Sequence, residues 1–206
     1  MDNASRKGKM MRLRISVVFL ASFVAVILGT ASMAAAAPAG TTHEGGNEHG
    51  AQESFADVVP CHDELDFYWI TTTYNEQEHS TENKNGFWAT FTQTGTFTAF
   101  PIDVVRDANG DPVRDSDGNV TPIVDANGNP VQLAGETFAG KFQTWFGISA
   151  NPNVTVESST FNIHGEGSAG TVFRMHDNFH VTTDGPGDPE DPATPVKVSF
   201  DKVNCF

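Results

Sequence analysis

The segment Phe87–Phe100, FWATFTQTGTFTAF, alternates from end to end. Phe87, Ala89, Phe91, Gln93, Gly95, Phe97 and Ala99 form one set. Trp88, five threonines at 90, 92, 94, 96 and 98, and Phe100 form the other. A period of two sends the sets to opposite faces of an extended strand, and the 3.6-residue repeat of a helix is absent. Threonine is β-branched and suits a strand, while its hydroxyl suits water. The segment therefore predicts one long strand, or two bent at Gly95, with the phenylalanine face inward.

The same alternation recurs along the chain. Asp66–Tyr74 reads as a strand, and Thr137–Ile148 places Phe138, Gly140, Phe142, Thr144 and Phe146 together. Asn153–Gly165 groups Ser159, Phe161 and Ile163. Thr171–Thr182 groups Phe173, Met175, Phe179 and Val181, with Arg174, His176, Asn178 and His180 opposite; Val196–Cys205 closes the chain. No amphipathic helix is evident. Six to eight antiparallel strands joined by Gly/Pro/Asp-rich turns predict an all-β domain, a single antiparallel barrel with a β-sandwich as the alternative.

Two stretches break the pattern. Thr183–Pro195, TDGPGDPEDPATP, reads as an exposed loop. Residues 101–135 contain DANGDPV at Asp107–Val113, DANGNPV at Asp125–Val131, and DSDGN between them. Asn and Gly tolerate positive φ, so these steps make tight turns. The reading is a polar hairpin arm projecting from the body, with Pro112, Pro122 and Pro130 blocking strand addition.

The N-terminus follows an export pattern. Five basic residues between Arg6 and Arg14 precede the apolar run Ile15–Leu28 and the small residues Ala31–Ala37. At about 14 residues the run is too short to span a bilayer, so residues 1–36 read as a cleaved signal peptide of a secreted protein. Residues 37–57, rich in Gly, Ala and Glu, are expected to be a flexible leader, and residues 58–206 the folded domain. The whole chain carries 12 basic and 26 acidic residues, a net charge of −14. Losing five bases and Asp2 leaves 7 and 25, about −18. Such a charge excludes nucleic acid and anionic membranes as partners once the signal is removed.

Cys61 and Cys205 are the two cysteines. In an oxidising compartment an even count predicts a disulfide. It would enclose roughly 145 residues, for which the chain-entropy model assigns about 5 kcal/mol. A barrel brings first and last strands together, where such a bond forms easily.

No reaction signature is present: no Gly-x-Ser-x-Gly, no P-loop, no HExxH, and no cofactor is implied. Asp177 is the one catalytic candidate, because parity puts it on the face of Phe173, Met175 and Phe179, where burial would raise its pKa. The inward face, with Phe87, Phe91, Phe97, Phe142, Phe161, Phe173, Met175 and Phe179, is either packed core or the lining of a site for a small apolar ligand. Asp107, Asn109, Asp111, Asp115, Asp117 and Asn119 alternate as calcium ligands can. They depart from the helix–loop–helix template, with glycine fourth instead of sixth and Ala126 where a bidentate glutamate belongs. Turn chemistry alone accounts for them.

The segments CHDEL at Cys61, NKNGFWATFTQTGTFTAF, GETFAGKFQTWFG, FRMHDNFHVT and the terminal VNCF together resemble small secreted β-barrel proteins of actinobacteria. The resemblance spans most of residues 58–206, and implies a barrel and secretion but no activity and no functional residue. The architecture is loosely similar to the barrels of allene oxide cyclases, dirigent proteins and lipocalins. The functional expectation is a secreted, non-enzymatic barrel binding a small apolar ligand or an extracellular partner. The alternatives are a cyclase or isomerase acting through a lumen carboxylate, and a calcium-steadied acidic surface module.

Overall fold

The computed structural model describes residues 41–61, 66–116, 118–185 and 195–206. The expected signal peptide lies outside the described residues. Among the described residues there are seven strands in chain order: β1 Thr42–Val58, β2 Phe67–Asn83, β3 Gly86–Ile102, β4 Phe138–Asn151, β5 Val154–Gly167, β6 Val172–Asp184 and β7 Val196–Cys205. Each pairs antiparallel with the next, giving a single seven-stranded meander. Burial alternates as the phenylalanine pattern requires: Ala89, Phe91, Gln93, Phe97 and Ala99 are buried, and Phe138, Phe142, Thr144 and Phe146 on β4 likewise.

The sheet is strongly curled. Phe97 on β3 and Phe173 on β6 have ring centroids 6.1 Å apart, although three inter-strand steps on a flat sheet would separate them by about 14 Å. Ala51 and Phe55 of β1 pack against the same cluster as Phe161 and Ile163 of β5. Among the described residues no ladder joins β1 to β7. Instead Cys61, just after β1, is disulfide-bonded to Cys205 at the end of β7, with Cα atoms 5.7 Å apart. The curl is thus an open trough with its two edges tied at one end.

The tied end is packed solid. Tyr68, Phe138 and Phe173 meet edge to face at 5.5 and 5.6 Å, the arrangement aromatic quadrupoles favour. Glycines make the room. A Cβ at Gly165 would overlap the Phe173 ring and lie 2.9 Å from Phe97 Cζ, and one at Gly140 would overlap the His164 carbonyl and approach Phe97 Cε1 to 2.6 Å. Both phenylalanine rings therefore lie flat on the sheet where their neighbours lack side chains.

Residues 42–57, expected to be a flexible leader, form β1 instead. Sixteen positions of β1 pair with β2, interrupted by a bulge at Gly50, whose φ is +67°. Composition argued for disorder because the segment buries little apolar surface by itself. The β2 edge supplies the missing stabilisation as backbone hydrogen bonds, and Ala56 and Phe55 add a small apolar anchor. The folded domain accordingly starts near residue 42, not 58.

The arm at 101–135 is built from three tight turns. At Asp107 and Asp125 one carboxylate oxygen accepts two backbone N–H groups, from Asn109 and Asp111 and from Asn127 and Asn129; Asp115 accepts from Asn119. Backbone bonds among Val105, Val113 and Thr121 link the segments between turns. Val104 and Val120 are buried against Ile102 and Ala56, with Phe67, Trp69 and Phe100 around them. The root of the arm thus rests on the outer face of β1–β3 as a second small core.

Candidate functional site

Strand register assembles a site that no single segment displays. Glu48 on β1 stands opposite Glu76 on β2, Glu76 opposite Gln93, Gln93 opposite Thr144, Thr144 opposite Phe161, Phe161 opposite Asp177 and Asp177 opposite Val203 on β7. One row of facing positions thus crosses the whole trough, and most of it is polar. Glu76 is 5% exposed, Gln93 5% and Thr144 2%. Three buried side-chain atoms among the described residues have no hydrogen-bond partner: Glu76 Oε2, Thr144 Oγ1 and Asp177 Oδ1. All three belong to this row.

Leaving a buried polar atom unpaired costs about 1–3 kcal/mol. Three in one row are places where a ligand's polar group would find a hydrogen-bonding partner on the protein. Burial raises the Glu76 pKa, and Glu48 and Glu78 add to the rise, while a hydrogen bond with Gln93 opposes it. Burial likewise raises Asp177, reinforced by Asp201 and opposed by His176. Burial and three glutamates push the Tyr74 hydroxyl up, one position further into the trough. The inward positions of β1–β7 carry carboxylates but no lysine, arginine or histidine. The trough therefore has a negative field with nothing inside it to compensate.

The row divides two environments. On the tied side Phe97, Phe142, Phe173 and Met175 are buried in the packed core. Phe161, on the row itself, is half-buried and packs against the core ring of Phe142 with centroids 6.4 Å apart; on the open side Phe91 is buried and Phe87 and Phe179 half-buried, so apolar surface remains reachable beside the polar atoms. The expected lining residues thus divide: four lie in the core, Phe161 sits on the row against it, and Phe87, Phe91 and Phe179 lie along the open half.

The other candidates are arranged differently. Asp107 and Asp115 use carboxylate oxygens on backbone N–H groups, and at Asp107 those bonds lower the pKa. No group of three or more His, Cys, Asp or Glu among the described residues has metal-binding geometry; Asp117 lies outside them. His176 and His180 face outward, His176 bonded to Asn162 and Asn178 and His180 to Ser158 and Thr182. His164 stands opposite Arg174, not His176. Sequence parity singled out Asp177. It missed Glu76 and Thr144, whose only signal was a polar residue at an inward position of an otherwise apolar strand face.

Comparison with protein families, with curated proteins and with solved structures finds no match.

Proposed function

We propose that the chain is a secreted binding module. It takes a small, largely apolar ligand in the open half of the trough and orients it by hydrogen bonds to the polar row. The observation that carries this reading is the coincidence of Glu76 Oε2, Thr144 Oγ1 and Asp177 Oδ1, all buried and unpartnered, on one line of strand register. Carboxylates without a cation among the inward side chains favour a ligand whose polar end donates, as a protonated amine does. The half-buried rings of Phe161 and Phe179 offer its apolar body a surface. The disulfide is of the kind that persists in an oxidising compartment, in keeping with secretion.

Matched probes test this. Octylamine is expected to bind more tightly than octanoate in titration calorimetry, and the Glu76→Gln, Asp177→Asn pair to lose that preference. Equal affinity for the two probes, or an unchanged preference in the double variant, would refute it.

A second reading rests on Asp177 alone. A half-buried carboxyl of raised pKa with a free oxygen can donate a proton to a bound ligand, as a cyclase or isomerase acid does. Turnover of a bound unsaturated ligand that disappears in Asp177→Asn, with binding retained, would distinguish this from simple binding.

A further inference from the structure

The outer face of the sheet has a chemistry of its own. In a chain with 26 acidic residues, the outward positions of β1–β5 carry a single carboxylate, Glu166. Threonine, serine, asparagine, glutamine and histidine occupy most of the rest. A groove of about 760 Å³ crosses this face from β6 to β3. Lys141, His164 and Arg174 stand in one row across it, and Gln143, Asn162 and His176 in the next parallel row. Phe206, 78% exposed, also lines it, held by its backbone N–H on the Arg174 carbonyl at 3.0 Å.

Trp145 lies one row beyond, between Thr92 and Thr160. A Cβ at Gly147 would come within 2.8 Å of its Cη2 and 2.9 Å of its Cζ2. The indole therefore lies down along the strand over a residue with no side chain, and stays 40% exposed. Beside it runs an oriented chain of hydrogen bonds. Thr160 Oγ1 donates to Asn178 Oδ1 at 3.2 Å, Asn178 Nδ2 donates to His176 Nε2 at 2.6 Å, and His176 Nδ1 donates to Asn162 Oδ1. The chain ends on the Asn162 amide, which lines the groove and whose oxygen it holds.

We propose that this groove is a glycan site that takes a linear, uncharged polysaccharide segment, one sugar ring stacking on Trp145. The flat, exposed indole fits the apolar C–H face of a pyranose. The fixed amide and hydroxyl side chains fit its hydroxyl groups, which need both donors and acceptors. Three inter-strand steps span about 14 Å, a run suited to an extended oligomer and not to one ring. Charge selects within the class. Lys141 and Arg174 reject a polycation, while the net charge of the secreted chain, 7 basic against 25 acidic residues and so about −18, repels a long polyanion whose ends run past the groove's cations, beyond a screening length of about 8 Å. This site is on the opposite face from the trough and stands independently of it.

The test uses the secreted chain with its disulfide intact. Cellohexaose, xylohexaose, mannohexaose and chitohexaose are titrated, with tryptophan fluorescence and calorimetry as readouts, against glucose and polygalacturonate. At least one neutral hexasaccharide is expected to bind and glucose not to. Trp145→Ala is expected to weaken binding about tenfold or more, the loss typical of an aromatic anchor, and Trp145→Phe to retain most of it. Asn162→Ala, at a half-buried outward position, supplies an independent second variant should Trp145→Ala misfold. Failure of all four neutral oligomers to bind, preference for polygalacturonate, or full binding by both alanine variants would overturn the assignment.

Discussion

Replacing both Cys61 and Cys205 with serine removes the one covalent tie between the two edges of the trough. The bond closes a loop of sequence separation 144, and chain entropy then assigns it about 5 kcal/mol. Among the described residues no β1–β7 ladder holds the edges once it is gone. That figure is a large part of the roughly 5–15 kcal/mol that stabilises a typical domain. At about 2–4 °C per kcal/mol for a domain of this size, the melting temperature should fall by roughly 10–20 °C. Urea unfolding followed by tryptophan fluorescence gives the free energy, and stopped-flow refolding shows where it resides. A cross-link that constrains the unfolded chain slows refolding when removed. One that holds native edges together instead speeds unfolding. The prediction is mainly slower refolding, with a larger m value because the unlinked chain unfolds to a more open state. A loss under about 1 kcal/mol, or a loss residing wholly in the unfolding rate, would refute the entropic reasoning.

Gly165→Ala places a methyl group against the Phe173 ring and near Phe97, so it should destabilise by about 1–3 kcal/mol as overpacking does; chemical denaturation at unchanged ligand conditions measures it. The carboxyls of Glu53, Asp57, Glu76 and Asp177 all have raised pKa values in the folded state. Each binds its proton more tightly folded than unfolded, so stability should fall as pH rises from the ordinary values of 3.8 and 4.5 through the raised ones. Asp107 and Asp125 have lowered values and remove stability as pH drops below 3.8. Melting temperature against pH should therefore peak in mild acid, and Glu76→Gln should flatten the neutral-side slope; a steady rise toward pH 8 would contradict this. In the arm, Asp107→Ala should speed amide hydrogen exchange at Asn109 and Asp111, whose N–H groups that carboxylate accepts, without altering exchange in β4–β6. Slowed exchange in the trough, by contrast, is the expected signature of octylamine binding there.

Much of the architecture was legible in the chain. The Phe/Thr alternation of β3 fixed which side chains turn inward, because strand geometry leaves a side chain only two directions. The same parity placed Asp177 inside. β1 was not legible: its residues have little apolar content, and the reason they are ordered lies in the β2 edge, not in themselves. The arm's turns were readable from Asp-x-Asn-Gly, but its docking through Val104 and Val120 onto Phe67, Trp69 and Phe100 depends on a return path that turn propensity does not encode.

What the sequence determined alone was a per-strand property: β character, inward and outward faces, turn positions, the acidic charge and a cysteine pair. Register and curl are relations between strands distant in sequence, and they alone decided that Glu76, Thr144 and Asp177 share one row and that Phe97 reaches Phe173 across a bent sheet. A slip of one residue in any ladder would have sent those groups to the opposite face. The trough's polar line and the groove on its back are therefore products of tertiary pairing, written in no local stretch of the chain.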